Sequence, residues 1–211
     1  MSKEVARGRT AVIEFDAQRC IHSRHCVLDR PDVFVPNVDG EWIHPDAATA
    51  DEVVALARNC PSGAIVARRL DGGPEETAPI VNTVRVLENG PLAVRAELSL
   101  GGKRAGLRAT LCRCGQSRRK PYCDGSHAAA GFTATGEPPA RESAPLPRRG
   151  GLLEVSPAPN GPLKLKGPME VISGTGHTIN RAAELYFCRC GNSKSKPYCD
   201  GSHKALGFVA D

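Results

Sequence analysis

The sequence predicts a β-rich α+β protein with a small N-terminal α+β domain followed by two repeated strand-rich units. Aromatic residues are few, with 1 Trp, 3 Tyr and 5 Phe, whereas 22 Gly and 17 Pro indicate many turns. One clear helical pattern precedes several patterns of period two, which favour strands. The segment 112–127 recurs almost residue for residue as 188–203. A chain with so little apolar bulk is typical of domains stabilised by disulfides or metals.

The N-terminal domain, residues 1–70, is predicted to combine one helix with strands. Residues 10–15 (TAVIEF) are apolar and β-branched, which favours a strand. A Thr-x-x-Glu capping box at 49–52 is followed by apolar residues at helical spacing, so a helix is predicted over about residues 50–59. Residues 64–67 can return as a strand beside the first one.

The repeated units are predicted to be meanders of strands. Apolar and polar residues alternate over 92–100, which indicates a half-buried strand. Turn signals on both sides predict neighbouring strands over 81–87 and 107–111, the last of which leads directly into a cysteine. The second unit repeats this order with five extra residues around 173–180. The predicted parts are an N-terminal α+β domain 1–70, a linker 71–80, the first repeat 81–135, a linker 136–151 and the second repeat 152–211.

The cysteines and the charge limit the class of protein. Nine cysteines form three groups of three, two of them with a nearby histidine, which indicates metal ligands rather than disulfides. Residues 1–9 lack the apolar segment of a signal peptide, and no apolar run approaches a membrane span. We therefore expect a cytoplasmic protein that binds no membrane. The formal charge of +5 counts cysteines as neutral, whereas metal ligation deprotonates them, so we expect no nucleic-acid binding.

Each repeated segment contains three cysteines and one histidine within a short stretch. A Cys-x-Cys pair at the end of a strand can direct two thiolates at one metal, and a loop stiffened by proline returns the other two ligands. Two interpretations fit: one Zn²⁺ bound by all four side chains, or a [2Fe–2S] cluster with two ligands on each iron. The candidate ligands are Cys112, Cys114, Cys123 and His127 in the first copy and Cys188, Cys190, Cys199 and His203 in the second.

Several neighbours of these ligands have predicted supporting roles. Asp124 and Asp200 are expected to cap short helices that carry the histidines. Ser117 and Ser193 can donate hydrogen bonds to sulfur. The basic residues are expected to form a solvated face or to guide an acidic redox partner. These basic residues are Arg113, Arg118, Arg119, Lys120, Arg189, Lys194 and Lys196.

Both copies match the pattern C-x-C-x₂-[ST]-x₃-P-x-C-D-G-[SAT]-H at every position, and residues 81–211 thereby resemble the CDGSH iron–sulfur (NEET-type) family. The resemblance implies a β-rich cap and a redox-active [2Fe–2S] cluster at each motif. It also implies that the two motifs form a pseudo-two-fold pair within one monomeric chain. A neutral imidazole donates less charge than a thiolate, so a histidine ligand raises the potential of such a cluster.

The N-terminal cysteines Cys20, Cys26 and Cys60 follow a ferredoxin plan in which Ser23 replaces the middle cysteine. Residues 10–70 resemble the divergent single-cluster ferredoxins, which implies a third cluster on these cysteines. A [3Fe–4S] cluster needs no further ligand, whereas a [4Fe–4S] cluster requires a fourth. Three reduced structural cysteines are the alternative. The candidates for the fourth ligand are Ser23, His22, His25 and solvent.

The sequence contains no Ser-His-Asp triad, phosphate loop or dinucleotide fingerprint, and we expect no enzyme activity of its own. We predict an electron carrier that binds redox partner proteins, either a reductase or an acceptor enzyme. A donor of clusters to apo iron–sulfur proteins, or a redox or iron sensor, is the main alternative. A third possibility is an interaction module stabilised by zinc.

Overall fold

The N-terminal part of the chain folds as a three-stranded antiparallel sheet, ordered β1-β2-β3, with two helices. The computed structural model describes residues 3–210, and the chain divides into two units between Thr77 and Ala78. The elements of the first unit are β1 Glu4–Arg7, β2 Ala11–Phe15, α1 His25–Asp29, a 3₁₀ turn Pro45–Ala47, α2 Ala50–Asn59 and β3 Ile65–Arg69.

Helix α2 begins and ends where the sequence predicts. Glu52 N donates to Thr49 Oγ1 at 3.4 Å, and Thr49 N donates to Glu52 Oε2 at 2.8 Å, which completes the capping box. Val53 and Leu56 are buried in the core of the first unit. The helix is followed directly by Cys60, so the packing of α2 fixes the position of one candidate ligand.

Strand β1 and helix α1 were not predicted from the sequence. Strand β1 is mostly exposed and pairs with β2 at the edge of the sheet, so it lacks the apolar alternation that indicates a strand. Helix α1 has five residues, which is too short for helical periodicity to be recognised. It places Cys26 on a helix rather than on a loop.

The second unit contains both repeated segments and one six-stranded sheet. The predicted β-rich α+β class is therefore confirmed, while the finer boundaries at residues 135 and 152 stay predictions. The elements are β4 Thr83–Val86, β5 Leu92–Leu100, β6 Lys103–Leu111, α3 Ser126–Ala129, β7 Leu152–Pro157, β8 Leu163–Ile172, β9 Thr178–Phe187 and α4 Ser202–Ala205.

The two repeats exchange strands within this sheet. One half of β5 pairs antiparallel with β4 and the other half pairs parallel with β7. In the same way, β8 pairs antiparallel with β7 and parallel with β4. Each repeat therefore contributes a short first strand that also pairs with the long strand of the other repeat. This reciprocal pairing gives the second unit its internal two-fold pattern and one shared apolar core.

The connection between the repeats packs onto the second repeat. Arg141 N donates to Ile179 O at 2.8 Å, and Arg181 N donates to Ser143 Oγ at 3.1 Å. The extra residues of the second copy lie partly in the turn between β8 and β9, residues 173–177, as the sequence predicts. Among residues 3–210 no helix has the length and hydropathy that a membrane span requires.

Candidate metal centre

Each motif begins where a long strand ends and then folds back onto that strand. Cys112 N donates to Pro121 O at 2.8 Å, and Cys123 N donates to Thr110 O at 2.9 Å. The second motif repeats these bonds, from Cys188 N to Pro197 O at 2.8 Å and from Cys199 N to Tyr186 O at 2.9 Å. The returning loop is thus held against the end of the strand by an isolated antiparallel bridge, Leu111 with Tyr122 in the first motif and Phe187 with Tyr198 in the second.

The candidate ligands of the first motif lie in two pairs. The sulfurs of Cys112 and Cys114 are 3.7 Å apart, and Cys123 Sγ lies 3.4 Å from His127 Nδ1. Two sulfur ligands of one tetrahedral metal with bonds of about 2.3 Å lie about 3.8 Å apart, and a sulfur and a nitrogen lie about 3.6 Å apart. Each pair therefore fits one metal atom.

The second motif has the same arrangement. Cys188 Sγ and Cys190 Sγ are 3.8 Å apart, and Cys199 Sγ lies 3.4 Å from His203 Nδ1. Within the described part of the chain, no three His, Cys, Asp or Glu side chains crowd around a single ion position. The assignment of these eight side chains as ligands stays a prediction.

Backbone amides point at the sulfurs. Gln116 N donates to Cys114 Sγ, Gly125 N donates to Cys123 Sγ and Gly201 N donates to Cys199 Sγ, each at 3.4 Å. Such bonds favour the thiolate form that metals bind. They come from the turns immediately after the cysteines, so the loop itself supplies them.

The prediction that the serine hydroxyls donate to sulfur is wrong. Ser117 Oγ donates to Tyr122 O, and Ser193 Oγ donates to Tyr198 O, both at 2.6 Å. These bonds span the loop and hold its two sides together. Sequence spacing placed the serines beside the cysteines correctly but could not show which way the hydroxyls point.

Asp124 supports the loop as well as the helix. Its carboxylate accepts from Arg118 N at 2.9 Å and from Ser126 N at 3.0 Å. Burial opposes ionisation of Asp124, but these bonds outweigh it and lower its pKa to about 2. The observed N-cap of α3 is Gly125 rather than the predicted Asp124, which lies one position earlier. Asp200 makes the equivalent bonds, to Lys194 N and Ser202 N.

The two motifs touch each other through their backbones. A Cβ placed on Gly115 would lie 2.6 Å from Cys190 O, and one on Gly191 would lie 2.4 Å from Cys114 O. Both glycines have a left-handed φ, +82° and +84°, that other residues rarely adopt. The Cys-x-Cys-Gly turns of the two copies therefore pack reciprocally at the centre of the second unit.

The N-terminal cysteines line one cavity of the first unit. Cys20, Cys26 and Cys60 share this cavity with His22 and Ser23. His22 N donates to Cys20 Sγ at 3.4 Å, and Cys60 Sγ lies 3.5 Å from Ser62 Oγ. The three predicted thiol ligands are therefore brought to one place.

His25 is a poor candidate for the fourth ligand. Its Nδ1 bonds to Asn59 O at 3.1 Å, because α1 begins at His25 and turns the ring toward the end of α2. Ser23 and His22 both line the cavity and stay candidates.

Comparison with known families agrees with this geometry. Residues 89–128 and 160–204 match the family described as iron-binding zinc finger, CDGSH type. Residues 6–69 match the family described as divergent 4Fe-4S mono-cluster. The chain is a tandem CDGSH-type iron–sulfur protein. No curated protein matches it at a significant level.

In this tandem CDGSH protein, two predicted surface residues are buried. Arg113 and Arg189 are each 1% exposed, so the expectation that they belong to a solvated or partner-guiding face is wrong. Burial lowers the pKa of Arg113 to about 10, while Cys188, Glu88 and Cys114 act in the opposite direction. The guanidinium is therefore charged at neutral pH. Arg118 and Arg119 are exposed, as the sequence predicts.

The thiols of the CDGSH motifs differ in how readily they ionise. A hydrogen bond with Cys114 lowers the pKa of Cys112 to about 6, against the opposing effect of burial. Burial raises the pKa of Cys123 to about 11 and also raises that of Cys188. Burial lowers the pKa of His127, which leaves the imidazole neutral and able to bind a metal at pH 7.

Proposed function

We propose that the protein is an electron carrier that binds two [2Fe–2S] clusters and a third cluster of three or four irons. The observation that supports this most strongly is the division of each CDGSH motif into two ligand pairs, each with the separation expected on one tetrahedral metal. Cys112 and Cys114 would hold one iron, and Cys123 and His127 the other. Cys188 and Cys190, with Cys199 and His203, would do the same in the second motif.

The residues around each site favour a cluster that stays bound in both its oxidised and its reduced state. A [2Fe–2S] cluster supplies exchange of one electron at a time. The buried thiolates hold it away from water, and the amides on sulfur offset its negative charge. The Ser117 and Asp124 bonds keep the loop closed around these ligands. None of these residues is positioned for chemistry on an organic substrate.

Contact between the two motifs supports electron transfer between their sites within one chain. Cys114 and Cys190 belong to turns whose backbones touch at Gly115 and Gly191, so the two cluster sites are neighbours. Clusters held by Cys114 and Cys190 would therefore be neighbours, which would allow an electron to pass between them without a second protein. The exposed side chains of Arg118 and Arg119 are suited to binding an acidic redox partner, either a reductase or an acceptor.

The third cluster would lie on Cys20, Cys26 and Cys60 of the first unit. The match to a family described as 4Fe-4S favours four irons, with Ser23 or His22 available as the remaining ligand. A [3Fe–4S] cluster needs the three cysteines alone. EPR of the protein as isolated distinguishes the two forms, because an oxidised [3Fe–4S] cluster gives a signal and an oxidised [4Fe–4S]²⁺ cluster is silent. All three proposed sites require reduced thiols, which supports a cytoplasmic location.

Repeated reduction and reoxidation tests the carrier function. We expect dithionite to reduce the clusters and oxygen-free oxidant to restore the starting spectrum over several cycles, with unchanged iron content. The holo protein is then incubated with an apo-ferredoxin. Transfer of iron and sulfide faster than their spontaneous loss, together with incomplete reoxidation, would contradict the carrier proposal.

A cluster donor or a redox or iron sensor is the second candidate. The observation that favours it is the partial exposure of His127 and His203, since a ligand reached by water is more easily displaced. The apo-ferredoxin experiment decides between the two functions, because only a donor transfers its clusters at a useful rate.

A further inference from the structure

A buried arginine separates the first two cysteines of each motif. Arg113 and Arg189 are both 1% exposed. A guanidinium loses its hydration when it is buried, so such a group needs several hydrogen-bond acceptors. The described residues form no ion pair with Arg113 within 4.0 Å, so its partners must be neutral acceptors.

The partners of Arg113 are backbone carbonyls on two separate segments. Its Nε donates to Gly90 O at 2.9 Å and its Nη2 to Leu87 O at 2.7 Å, both in the turn before β5. Its Nη2 and Nη1 donate to Ala134 O and Thr135 O, both at 3.2 Å, in the segment after α3. Arg113 thereby fastens the segment that follows the histidine-bearing helix to the sheet.

Arg189 makes the same connections in the second motif. Its Nε donates to Gly161 O at 2.9 Å, and its Nη2 donates to Ala158 O at 2.6 Å and to Ala210 O at 3.1 Å. Ala158 and Gly161 lie in the turn before β8, whereas Ala210 follows α4. The clamp therefore occurs at equivalent places in both repeats.

Short connections link this clamp to the histidine. Phe132 N donates to His127 O at 3.0 Å, and the Phe132 ring centre lies 5.4 Å from Arg113 Cζ. Asn89 N donates to Ala134 O, and Ala134 N donates to Asn89 Oδ1, both at 2.9 Å. The backbone between His127 and the clamp is only a few residues long, so movement of the clamped segment reaches the imidazole.

We propose that Arg113 and Arg189 are positioning residues that keep His127 and His203 on their irons by clamping the segment after each histidine. This inference rests on the proposed function, because it takes the clusters as bound. The histidine lies on a four-residue helix and is partly exposed, whereas Cys112, Cys114 and Cys123 are buried. Loss of the clamp therefore affects the histidine before it affects the buried cysteines.

The test is Arg113→Gln in the full-length holo protein, with the unchanged second motif as an internal reference. Cluster release to an iron chelator at pH 7 is followed by visible absorbance. We expect one motif cluster to be released on the order of tenfold faster than in the wild type, because the hydrogen bonds from Arg113 to the segment after α3 are lost. The other motif cluster should keep the wild-type rate. Arg189→Gln should give the mirror result.

A spectroscopic measurement distinguishes weaker histidine ligation from a general loss of stability in the motif. In protein labelled with ¹⁵N-histidine, we expect Arg113→Gln to weaken or broaden the nitrogen hyperfine coupling in about half of the reduced motif clusters. Arg104→Gln is the matched control, since it removes an exposed charge from the strand that leads into the same motif. It should change neither the coupling nor the release rate.

Three results would overturn the inference: unchanged release and coupling in Arg113→Gln, equal acceleration of both motif clusters, or the same change in Arg104→Gln. If Arg113→Gln does not fold, Arg113→Lys replaces it, since lysine keeps the charge but lacks the planar fork. Wild-type behaviour of Arg113→Lys would likewise overturn the clamp. A wild-type protein without iron would contradict the proposed function itself, whereas these results leave it standing.

Discussion

His127 and His203 differ from the cysteines of their sites in charge and in exposure. Both are partly exposed, and burial lowers the pKa of His127 and keeps its imidazole neutral at pH 7, whereas the paired cysteines are mostly buried and bind metals as thiolates. A thiolate donates more charge to iron than an imidazole does. In the proposed clusters, the histidine would therefore be the ligand that raises the potential.

Replacing His127 by cysteine should lower the potential of one motif cluster. We expect a decrease on the order of 100 mV, because one imidazole is exchanged for a thiolate. Protein-film voltammetry should show different reduction potentials for the two motif clusters, with the potential of the second cluster unchanged. A His127→Cys protein whose clusters both titrate as in the wild type would contradict the ligand assignment.

Alanine at Gly115 should disturb both motifs, because its Cβ would press on the backbone of the other copy. We expect Gly115→Ala to be about 1–3 kcal/mol less stable than Gly125→Ala in urea unfolding. Gly125 is the matched control: its φ of +87° is also left-handed, but no atom lies within 4 Å of its added Cβ. Equal stability of the two variants would show that the reciprocal contact contributes nothing.

At the scale of single residues, the sequence predicted the candidate ligands but not the hydrogen bonds of Arg113 that hold the surrounding segments. The spacing of Cys112, Cys114 and Cys123 is enough to suggest a site, since ligands of one cluster must lie close along the loop. Sequence alone predicts a surface position for Arg113, because charged side chains usually lie at the surface. Its carbonyl partners lie far from it in the sequence, so only the folded chain reveals them.

Among the elements, β4 pairs with β8 and β7 pairs with β5, so each repeat completes the sheet of the other. Asn82, immediately before β4, is buried at this junction. Its Nδ2 donates to Gly151 O at 2.8 Å and to Pro168 O at 2.9 Å. One side chain therefore joins the first repeat to the connection and to the second repeat.

Asn82→Ala should destabilise the second unit by about 1–3 kcal/mol, because the buried Asn82 side chain and its two hydrogen bonds to part-buried carbonyls are lost. The urea midpoint should fall with an unchanged slope, as expected for a loss of stability without a change in the surface exposed. Arg95→Ala, on the exposed side of β5, should stay within about 0.5 kcal/mol of the wild type. A similar effect of both variants would contradict the role given to Asn82.

Elements with strong local patterns were predicted well, and those defined by distant partners were not. Helix α2 has its capping box, and β5 has its full alternation, so both were predicted with their observed bounds. Strand β7 follows a proline-rich stretch and is short, and its parallel partner β5 comes from the other repeat. No local signal specifies such a pairing, so the strand exchange could not be derived from the sequence.

For the whole molecule, the division between Thr77 and Ala78 predicts two units that fold independently. The core of the first unit consists of residues between Ala6 and Ala67, including Ile13, Phe34 and Leu56. We expect residues 1–77 alone to give a cooperative thermal transition by circular dichroism. Residues 78–150 alone should not, because β5 would lack its partner β7. A cooperative transition for 78–150 would contradict the account of strand exchange.

The central claim is that all three cysteine groups hold iron–sulfur clusters. Its most direct test is the analysis of iron, acid-labile sulfide and zinc in full-length protein purified without oxygen. We predict about seven or eight iron and about eight sulfide ions per chain, with visible absorption and only traces of zinc. Stoichiometric zinc in a colourless, folded protein without sulfide would contradict it.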